Sequence, residues 1–461
     1  YKREKYLAST SIKTVLAGER VTFKLDRLDP GKRYFYRTRC KKANGTSFGV
    51  REEYTFRTLR DRDDTNPVTF VAMADSHYYG LYSRGNRNEV CAPGVPNQRA
   101  IDGMDLHKQT LNNIIDISPK AEFFVMGGDE AMTHCNGCDR CNINGEDSGD
   151  TSVENAREAE LRYELILGED VYGAITDSAP MIYKLGNHDG ETSFGDPNSA
   201  LDQCDHSDKI ANLSHNARMK YLPNPSEVFI GNPEGQYYTF SSGDVQIIVL
   251  DIMGGPEDIP QNVNEWTLGT QQLSWFEEVL KTSDRKWKFV FIEHIDGGVT
   301  DPNSSISCYF YGRSSLKATD NGEVNGTFLG EQATLHKLMK KYNGQFFFLS
   351  HDHVATIGEK KDANNQGDGV YYISGGKSSG VGAPWSKLNC FKDVMDYDNN
   401  GVADYNKGIW GSADSGYYEI VTDNNKADIK YIVSDLNSAF NGRTAFEYTF
   451  WLNGTNNLPI Y

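Results

Sequence analysis

Acidic, imidazole and amide side chains follow five separate apolar runs of this 461-residue sequence. A single histidine after such a run is most often a structural residue, so the information lies in the repetition. Five of the ten histidines of the chain belong to the set. Imidazole and carboxylate ligands together suit Zn, Fe or Mn better than Ca. The set consists of Asp75, His77, Asp129, Asn187, His188, Asp189, His294, His351 and His353.

The apolar runs themselves predict β-strands, and amphipathic helical segments separate them. One such segment places Leu273, Phe276 and Leu280 on a single face. The alternation predicts an α/β (α+β) domain whose functional loops lie at strand ends, so the polar residues would meet at one rim. Later runs predict a second sheet in the same domain. The predicted strands are residues 68–74, 123–126, 181–185, 245–250, 288–292 and 345–349, and the later ones are 370–374, 417–421, 429–433 and 448–451.

The order of the polar groups follows the pattern DxH, GD, GNH[DE], H and HxH. This pattern resembles the signature of the calcineurin-like metallophosphoesterase superfamily, over about residues 66–435. The resemblance implies a four-layer sandwich of two mixed β-sheets flanked by helices, with a two-metal site along one edge.

The resemblance also implies a division of the ligands between two metal ions. Two ions about 3.5–4 Å apart need at least one shared anionic ligand, and a water that bridges them becomes a hydroxide-like nucleophile near neutral pH. Asp129 would be the shared ligand. The other ligands would be Asp75, His77 and His353 for one metal, and Asn187, His294 and His351 for the other.

Two residues beside the ligands are candidates for catalysis. His188 would point toward the substrate, stabilise the phosphoryl oxygens and protonate the leaving group. Asp189 would orient that imidazole, although a helix N-cap carboxylate is the competing interpretation. Purple acid phosphatases have a metal-bound Tyr where this chain has Met132, and they lack the histidine at position 77. A tyrosinate–iron centre is therefore not expected. Ser350 replaces the usual Gly before His351.

Residues 1–60 are predicted to form short strands at 21–25, 34–38 and 54–56. The stretches LDPGKRYFYR and FRTL resemble part of a fibronectin type III-like module, the kind that precedes the catalytic domain of purple acid phosphatases. A complete module needs about seven strands, and only about four fit here. Either the first half lies upstream, or a neighbouring chain completes the sheet. Residues 61–461 would form the metallophosphoesterase domain.

The eight cysteines favour an oxidising, extracytoplasmic setting with up to four disulfides. Three of them form a CxxCxxC cluster, Cys135 to Cys141, within a polar insertion at about 133–150. A disulfide-stapled insertion and a zinc or iron–sulfur centre are both open, although a fourth ligand at matching spacing is absent. Sequons at Asn44, Asn212, Asn303, Asn325 and Asn453 permit glycosylation.

A second ion site is predicted at residues 396–407. Oxygen-bearing groups occupy positions 1, 3, 5, 7 and 9 of an EF-hand-like loop, but position 12 is Lys407 instead of Glu. Either a structural Ca²⁺ or a plain polar turn fits this pattern. The calcium ligands would be Asp396, Asp398, Asn400, Val402 and Asp404.

The net charge of −17 argues against bulk attraction to nucleic acid or an anionic membrane, and no apolar run is long enough for a membrane span. The sequence thus predicts a secreted or cell-surface hydrolase of phosphomonoesters, with a small phosphorylated substrate and two transition-metal ions. A phosphodiesterase or nucleotidase with the same site is one alternative. A structural or adhesive surface protein that keeps the fold is another.

Overall fold

The structure, a computed structural model, describes sixteen parts of the chain. Side chains at 99–100, 208–209, 230, 297–300, 307–313, 331–333, 360 and 407–409 are not described. The described residues are 6–16, 19–78, 98–131, 133, 153, 155–191, 208–223, 230–232, 235–251, 268–293, 297–300, 307–313, 331–351, 353–360, 369–379 and 407–452.

Twenty strands and six helices occur in this part of the chain. The strands are β1 Arg33–Tyr36, β2 Arg39–Cys40, β3 Gly49–Val50, β4 Tyr54–Arg57, β5 Val68–Met73, β6 Phe123–Met126, β7 Met181–Tyr183, β8 Ile230–Gly231, β9 Tyr238–Ser242, β10 Val245–Val249, β11 Trp287–Phe291, β12 Gly297–Thr300, β13 Ser307–Arg313, β14 Phe346–Leu349, β15 Ala355–Lys360, β16 Val370–Gly375, β17 Lys407–Ser412, β18 Gly416–Thr422, β19 Lys426–Val433 and β20 Thr444–Trp451. The helices are α1 Gln98–Ile117, α2 Ala156–Ile166, α3 Gly173–Thr176, α4 Asp208–Tyr221, α5 Gly269–Thr282 and α6 Glu331–Lys341.

Two mixed sheets form the centre of the molecule. The first has the order β20-β19-β18-β5-β6-β7, with β5, β6 and β7 parallel. The second has the order β17-β15-β16-β14-β11-β10-β9-β8, with β10, β11, β14 and β16 parallel. In each sheet the parallel strands are the apolar runs that precede the polar residues or lie beside them. Their carboxyl ends therefore fall on a common edge.

The parallel strands of both sheets are buried on both faces, which is why they are continuous apolar runs instead of alternating ones. Phe70 and Phe289 meet edge-on between the two sheets, with ring centroids 5.1 Å apart. Helices α5 and α6 cover the outer face of the eight-stranded sheet. Helices α1 to α4 cover the outer face of the six-stranded sheet. The predicted four-layer sandwich of two mixed sheets flanked by helices is confirmed.

The strand predictions for the central domain are confirmed, but the later strands do not form a separate sheet. Strand β16 lies within the eight-stranded sheet, beside β14. Strands β18, β19 and β20 continue the six-stranded sheet from β5. The chain therefore completes the eight-stranded sheet with β16 and β17, and then returns to the six-stranded sheet with β18, β19 and β20. None of the described helices is long and apolar enough to cross a membrane.

Residues 33–57 contain two small antiparallel pairs, β1 with β4 and β2 with β3. The prediction of a strand at 21–25 is wrong, because this segment pairs with none of the described strands. Its alternating apolar residues Val21, Phe23 and Leu25 remain 39–48% exposed. Alternation alone does not make a strand when no ladder is formed beside it. The fibronectin type III-like module stays a prediction.

Cys40 is exposed and forms no disulfide, so the predicted upper limit of four disulfides is not reached. No disulfide is present among the described residues. The side chains of the other seven cysteines lie outside the described part, as do residues 134–150 of the predicted insertion. The predicted calcium ligands Asp396, Asp398, Asn400, Val402 and Asp404 lie outside it as well.

His107 is a fully buried titratable group that attaches α1 to the segment after β16. Its Nδ1 lies 3.2 Å from Ser378 Oγ, and its ring packs between Tyr78 and Tyr172. Burial lowers the pKa of His107 to about 3. Between that value and the usual pKa near 6.5, the unfolded chain takes up a proton that the folded chain does not. The contribution of the neutral His107 to the free energy of unfolding is therefore fully present above pH ~6.5 and decreases as the pH falls below it.

We expect the His107→Gln variant to lose this acid sensitivity. The free energy of unfolding of the unmutated protein should fall more steeply than that of the variant, by about 1.4 kcal/mol per pH unit. Urea unfolding of both proteins at about pH 7, 6 and 5 measures the difference in slope. If the stability of both proteins depended on pH in the same way, His107 would take up its proton in the folded state as it does in the unfolded chain.

Candidate metal centre

The loops after β5, β6 and β14 meet at one edge of the sandwich. The backbone N–H of Asp75 donates to Gly128 O at 3.3 Å, and that of His77 donates to Asp129 O at 2.9 Å. From the other sheet, the backbone N–H of His351 donates to both carboxylate oxygens of Asp75, at 2.9 and 3.0 Å. The first two bonds join neighbouring loops of the six-stranded sheet, and those of His351 cross the gap between the sheets. They place the predicted ligands of three strands on one rim.

The loop after β7 approaches the bridging aspartate so closely that it requires glycine. A Cβ at Gly186 would lie 2.2 Å from Asp129 N, and Gly128 has a φ of 88°. The backbone N–H of His188 donates to Asp129 Oδ1 at 2.7 Å. The glycines of the GD and GNH motifs therefore let two loops close around one carboxylate.

Most of the predicted ligands have an unusual backbone conformation. Among the described residues, seven non-glycine residues have a positive φ, and five of them are predicted metal ligands, with φ between 47° and 72°. Each costs about 1–2 kcal/mol for an L-residue. Such strain concentrates at functional sites, where the surrounding structure enforces it. The five are Asp75, His77, Asp129, His351 and His353.

Four side chains converge to form the first group of ligands: Asp75, His77, Asp129 and His353. The Nε2 atoms of His77 and His353 face each other at 2.9 Å. His77 Nε2 lies 3.4 Å from Asp129 Oδ2, and His353 Nε2 lies 3.7 Å from Asp75 Oδ1. Ligand atoms bound at about 2.0–2.2 Å around one transition metal are themselves about 3–3.5 Å apart. The donor set and its spacing fit a transition-metal ion.

Asp129 also belongs to a second group of ligand atoms, with His351 and Glu293. Beside this group lies the predicted ligand Asn187, whose Oδ1 is 2.8 Å from His351 Nδ1. His294 follows Glu293 in the chain, but it lies outside the described residues. Because Asp129 is shared by both groups, the geometry fits two metal ions bridged by one carboxylate.

The buried carboxylates of the site also need cations nearby to balance their charge. The Asp75 side chain is fully buried, and burial raises its pKa well above the usual value, with Glu293 and Asp129 adding to the effect. Burial likewise raises the pKa of Glu293 to about 8, although Lys184 opposes the shift. Carboxylates in such a place are paired, protonated or bound to metal.

Comparison with solved structures shows the same architecture elsewhere. The purple acid phosphatase PPD1 from yellow lupin (Lupinus luteus) seeds is similar with a TM-score of 0.55 and 15% identity, over 92% of this chain and 60% of that one. PhoD is similar with a TM-score of 0.60 and 12% identity, over 95% of this chain and 78% of that one. This chain has the calcineurin-like metallophosphoesterase fold.

The resemblance stated from the motifs is thus confirmed at the level of the fold. The chain spans less than two thirds of the length of the lupin phosphatase. Neither a protein-family model nor a curated protein sequence matches the chain significantly. The resemblance places the two metal ions along one edge of this fold, and the described ligands meet at such an edge.

The structure gives Asp189 a role different from the one predicted. Its Oδ1 accepts the backbone N–H of Glu130 and Ala131, and its Oδ2 accepts those of Asp129 and Gly186. Both oxygens are therefore occupied by the backbone, instead of being directed at the His188 ring. Asp189 ties the loop after β7 to the loop after β6 and is not a helix N-cap.

Sequence reasoning missed a buried ion pair beneath the site. Lys184 Nζ contacts the Glu293 carboxylate and lies 2.6 Å from Ser350 Oγ. All three residues follow strands that carry predicted ligands, and all are at most 2% exposed. The available signal was one acidic and one basic residue inside two otherwise apolar runs, YKLGNH and FVFIEH. Oppositely charged residues in two buried runs are expected to pair with each other.

A second buried carboxylate was also missed. Glu130 directly follows Asp129 and accepts hydrogen bonds from Ser76 Oγ and from Tyr172 OH, the latter at 2.6 Å. Ser76 lies between Asp75 and His77 in the chain. Glu130 therefore fixes the loop that carries Asp75 and His77. Burial raises the pKa of Glu130 to about 8.

The Asp189→Asn substitution tests the structural role of this carboxylate. An amide presents donors to backbone N–H groups, so we expect a loss of about 3 kcal/mol in the free energy of unfolding and a loss of bound metal. Thermal unfolding and elemental analysis measure the two effects. If stability and metal content were unchanged while only kcat fell, the predicted role in orienting His188 would be correct instead.

Proposed function

We propose that the chain is a metal-dependent phosphoric ester hydrolase that acts on phosphomonoesters. The observation that carries the proposal is the shared Asp129, which belongs to two adjoining groups of ligand atoms at the edge of a metallophosphoesterase fold. When bound, the two ions would stabilise the charge on the phosphoryl group and make a coordinated water acidic enough to act near neutral pH. The identity of the metals, among Fe, Zn and Mn, is part of the proposal.

The ligands divide between the two ions as the motifs indicate. Asp75, His77 and His353 hold one ion, and Asn187, His294 and His351 hold the other, with Asp129 shared between them. The contacts among the described members of the set support this division. Strained backbone holds five of these ligands, Asp75, His77, Asp129, His351 and His353, in place before substrate arrives, which reduces the reorganisation needed during the reaction.

His188 is the residue best placed to act on the substrate. Its side chain is 17% exposed, whereas that of His77 is 1% exposed, so its ring faces the solvent side of the site. Its Nε2 lies 4.0 Å from Asp129 Oδ2, and its ring centroid lies 4.9 Å from that of His77. From there it can hold a phosphoryl oxygen and deliver a proton to the leaving oxygen. The bond from His188 N to Asp129 fixes its backbone.

An extracytoplasmic location completes the proposal, with the eight cysteines as its support. The small antiparallel pairs of residues 33–57 are consistent with an all-β module before the catalytic domain. The bonds that hold these residues to that domain include one from Tyr36 OH to Asp177 O at 2.9 Å and the ion pair of Arg51 with Glu169.

Turnover of a generic aryl phosphate by the protein supplied with Mn²⁺ or Zn²⁺ tests the function, and His188 is the residue to vary. We expect His188→Asn to lower kcat by about 10²–10⁴-fold while the two metal ions are retained, because this ring serves the reaction rather than the metals. Asp129→Asn should lower both activity and metal content.

Asp244→Asn is a matched control. Asp244 lies in the turn between β9 and β10, away from the site, and its carboxylate pairs with Lys286. It should leave both kcat and metal content unchanged. If the unmutated, metal-loaded protein hydrolysed neither an aryl phosphate monoester nor a diaryl phosphate, the proposed hydrolase activity would be ruled out. Faster turnover of the diester would favour the phosphodiesterase alternative.

A further inference from the structure

A buried lysine, glutamate and serine form a compact group directly behind the candidate metal centre. Lys184 Nζ contacts Glu293 Oε2 and Ser350 Oγ, and Ser350 Oγ lies 2.7 Å from Glu293 Oε2 and 2.6 Å from Gly127 O. Lys184 and Glu293 are each 1% exposed. Both contacts to the glutamate, from Lys184 and from Ser350, involve the same oxygen, Oε2.

Strand alternation explains why Glu293 points into the site. Phe289 and Phe291 face the space between the two sheets, while Val290 and Ile292 face the helices. Side chains alternate along a strand, so Glu293 continues the face of the two phenylalanines beyond the end of β11. On this face, at this edge, lie Asp129 and His351, whose ligand atoms are within 4.8 Å of that of Glu293.

The other oxygen of Glu293 is buried and unsatisfied. Oε1 has no hydrogen-bond partner among the described residues, and the same is true of the Asn187 Nδ2 atom. A buried carboxylate oxygen without a donor is rare and costly. The lysine satisfies the charge on one side of the carboxylate, and nothing in the described part of the chain satisfies the other side.

We propose that Glu293 is an additional carboxylate ligand of the metal ion that Asn187 and His351 hold, with Lys184 and Ser350 fixing its second oxygen. This inference rests on the proposed function, because it concerns the same metal pair. Glu293 is absent from the ligand set that the motifs imply. Ser350, where the family usually has Gly, supplies the hydroxyl that steadies the carboxylate.

An added carboxylate changes which metal the second position prefers. Without Glu293, that position has one carboxylate, one amide oxygen and imidazoles. With it, the position has a second anionic oxygen. Oxygen anions favour Mn²⁺ and other hard ions relative to Zn²⁺, whereas imidazole favours Zn²⁺. The buried carboxylates Asp75, Asp129 and Glu293, with Lys184 as their buried cationic neighbour, leave net negative charge for the ions to neutralise.

Metal titration of the Glu293→Gln variant tests the inference. We expect the dissociation constant for the weaker Mn²⁺ ion, measured by paramagnetic resonance and calorimetry, to rise about 10–100-fold, with a smaller rise for Zn²⁺. Glu122→Gln is the matched control, because Glu122 forms a buried ion pair with Arg60 at the opposite end of β6. It should bind both ions as the unmutated protein does.

A double variant guards against a trivial loss of folding. Lys184→Met with Glu293→Gln removes both buried charges together, which buried pairs often tolerate. The weaker Mn²⁺ affinity should persist in this folded variant. Unchanged Mn²⁺ affinity in either variant, with reduced stability alone, would assign Glu293 a purely structural role and overturn the inference. An unmutated protein that binds no metal would instead defeat the proposed function, so the two failures are distinguishable.

Discussion

Repulsion among buried carboxylates is the constraint on which this site depends. Asp75, Asp129 and Glu293 share a small volume at the edge of two sheets, and Lys184 is the cation among them. Taking ionised carboxylates out of water is costly unless they are paired or bound to metal. The described residues satisfy some of this demand through Lys184 and the backbone N–H of His351. Two dications would satisfy the rest, so the electrostatics and the ligand geometry lead to the same conclusion.

The backbone also carries a cost at the same place. Five of the proposed ligands are held in left-handed conformations that L-residues avoid. Bonds that involve no metal help to hold them there, and the four backbone donors to Asp189 are the clearest case. The rim is thus organised by the protein itself. This arrangement is what electrostatic preorganisation requires, because the groups need not move when charge develops on the substrate.

The fold and the rim could be predicted because both depend on short, local patterns. An apolar run followed by DxH or GNH defines a strand and the loop after it, and parallel strands place such loops on one edge. The contacts that depend on the partner of a side chain could not be predicted in this way. Asp189 looked like a partner for His188, but its oxygens accept backbone N–H groups of a loop about sixty residues away, as the bonds to Asp129 and Glu130 show. The apolar alternation at 21–25 failed for the same reason, since a strand needs a neighbour that the pattern does not name.

The loop after β7 has a further anchor that no motif contains. Glu191 is fully buried, and its carboxylate binds Arg218 and lies 2.9 Å from His215 Nδ1, both on α4. Burial alone would raise the pKa of Glu191, but Arg218 and His215 hold it below the usual value. The loop that bears Asn187 and His188 is therefore held just after these residues, by Asp189 against the loop after β6 and by Glu191 against α4. Breaking a buried pair by removing one partner costs about 3–5 kcal/mol. This anchor therefore constrains His188 without touching it, which separates the positioning of this ring from the chemistry that it performs.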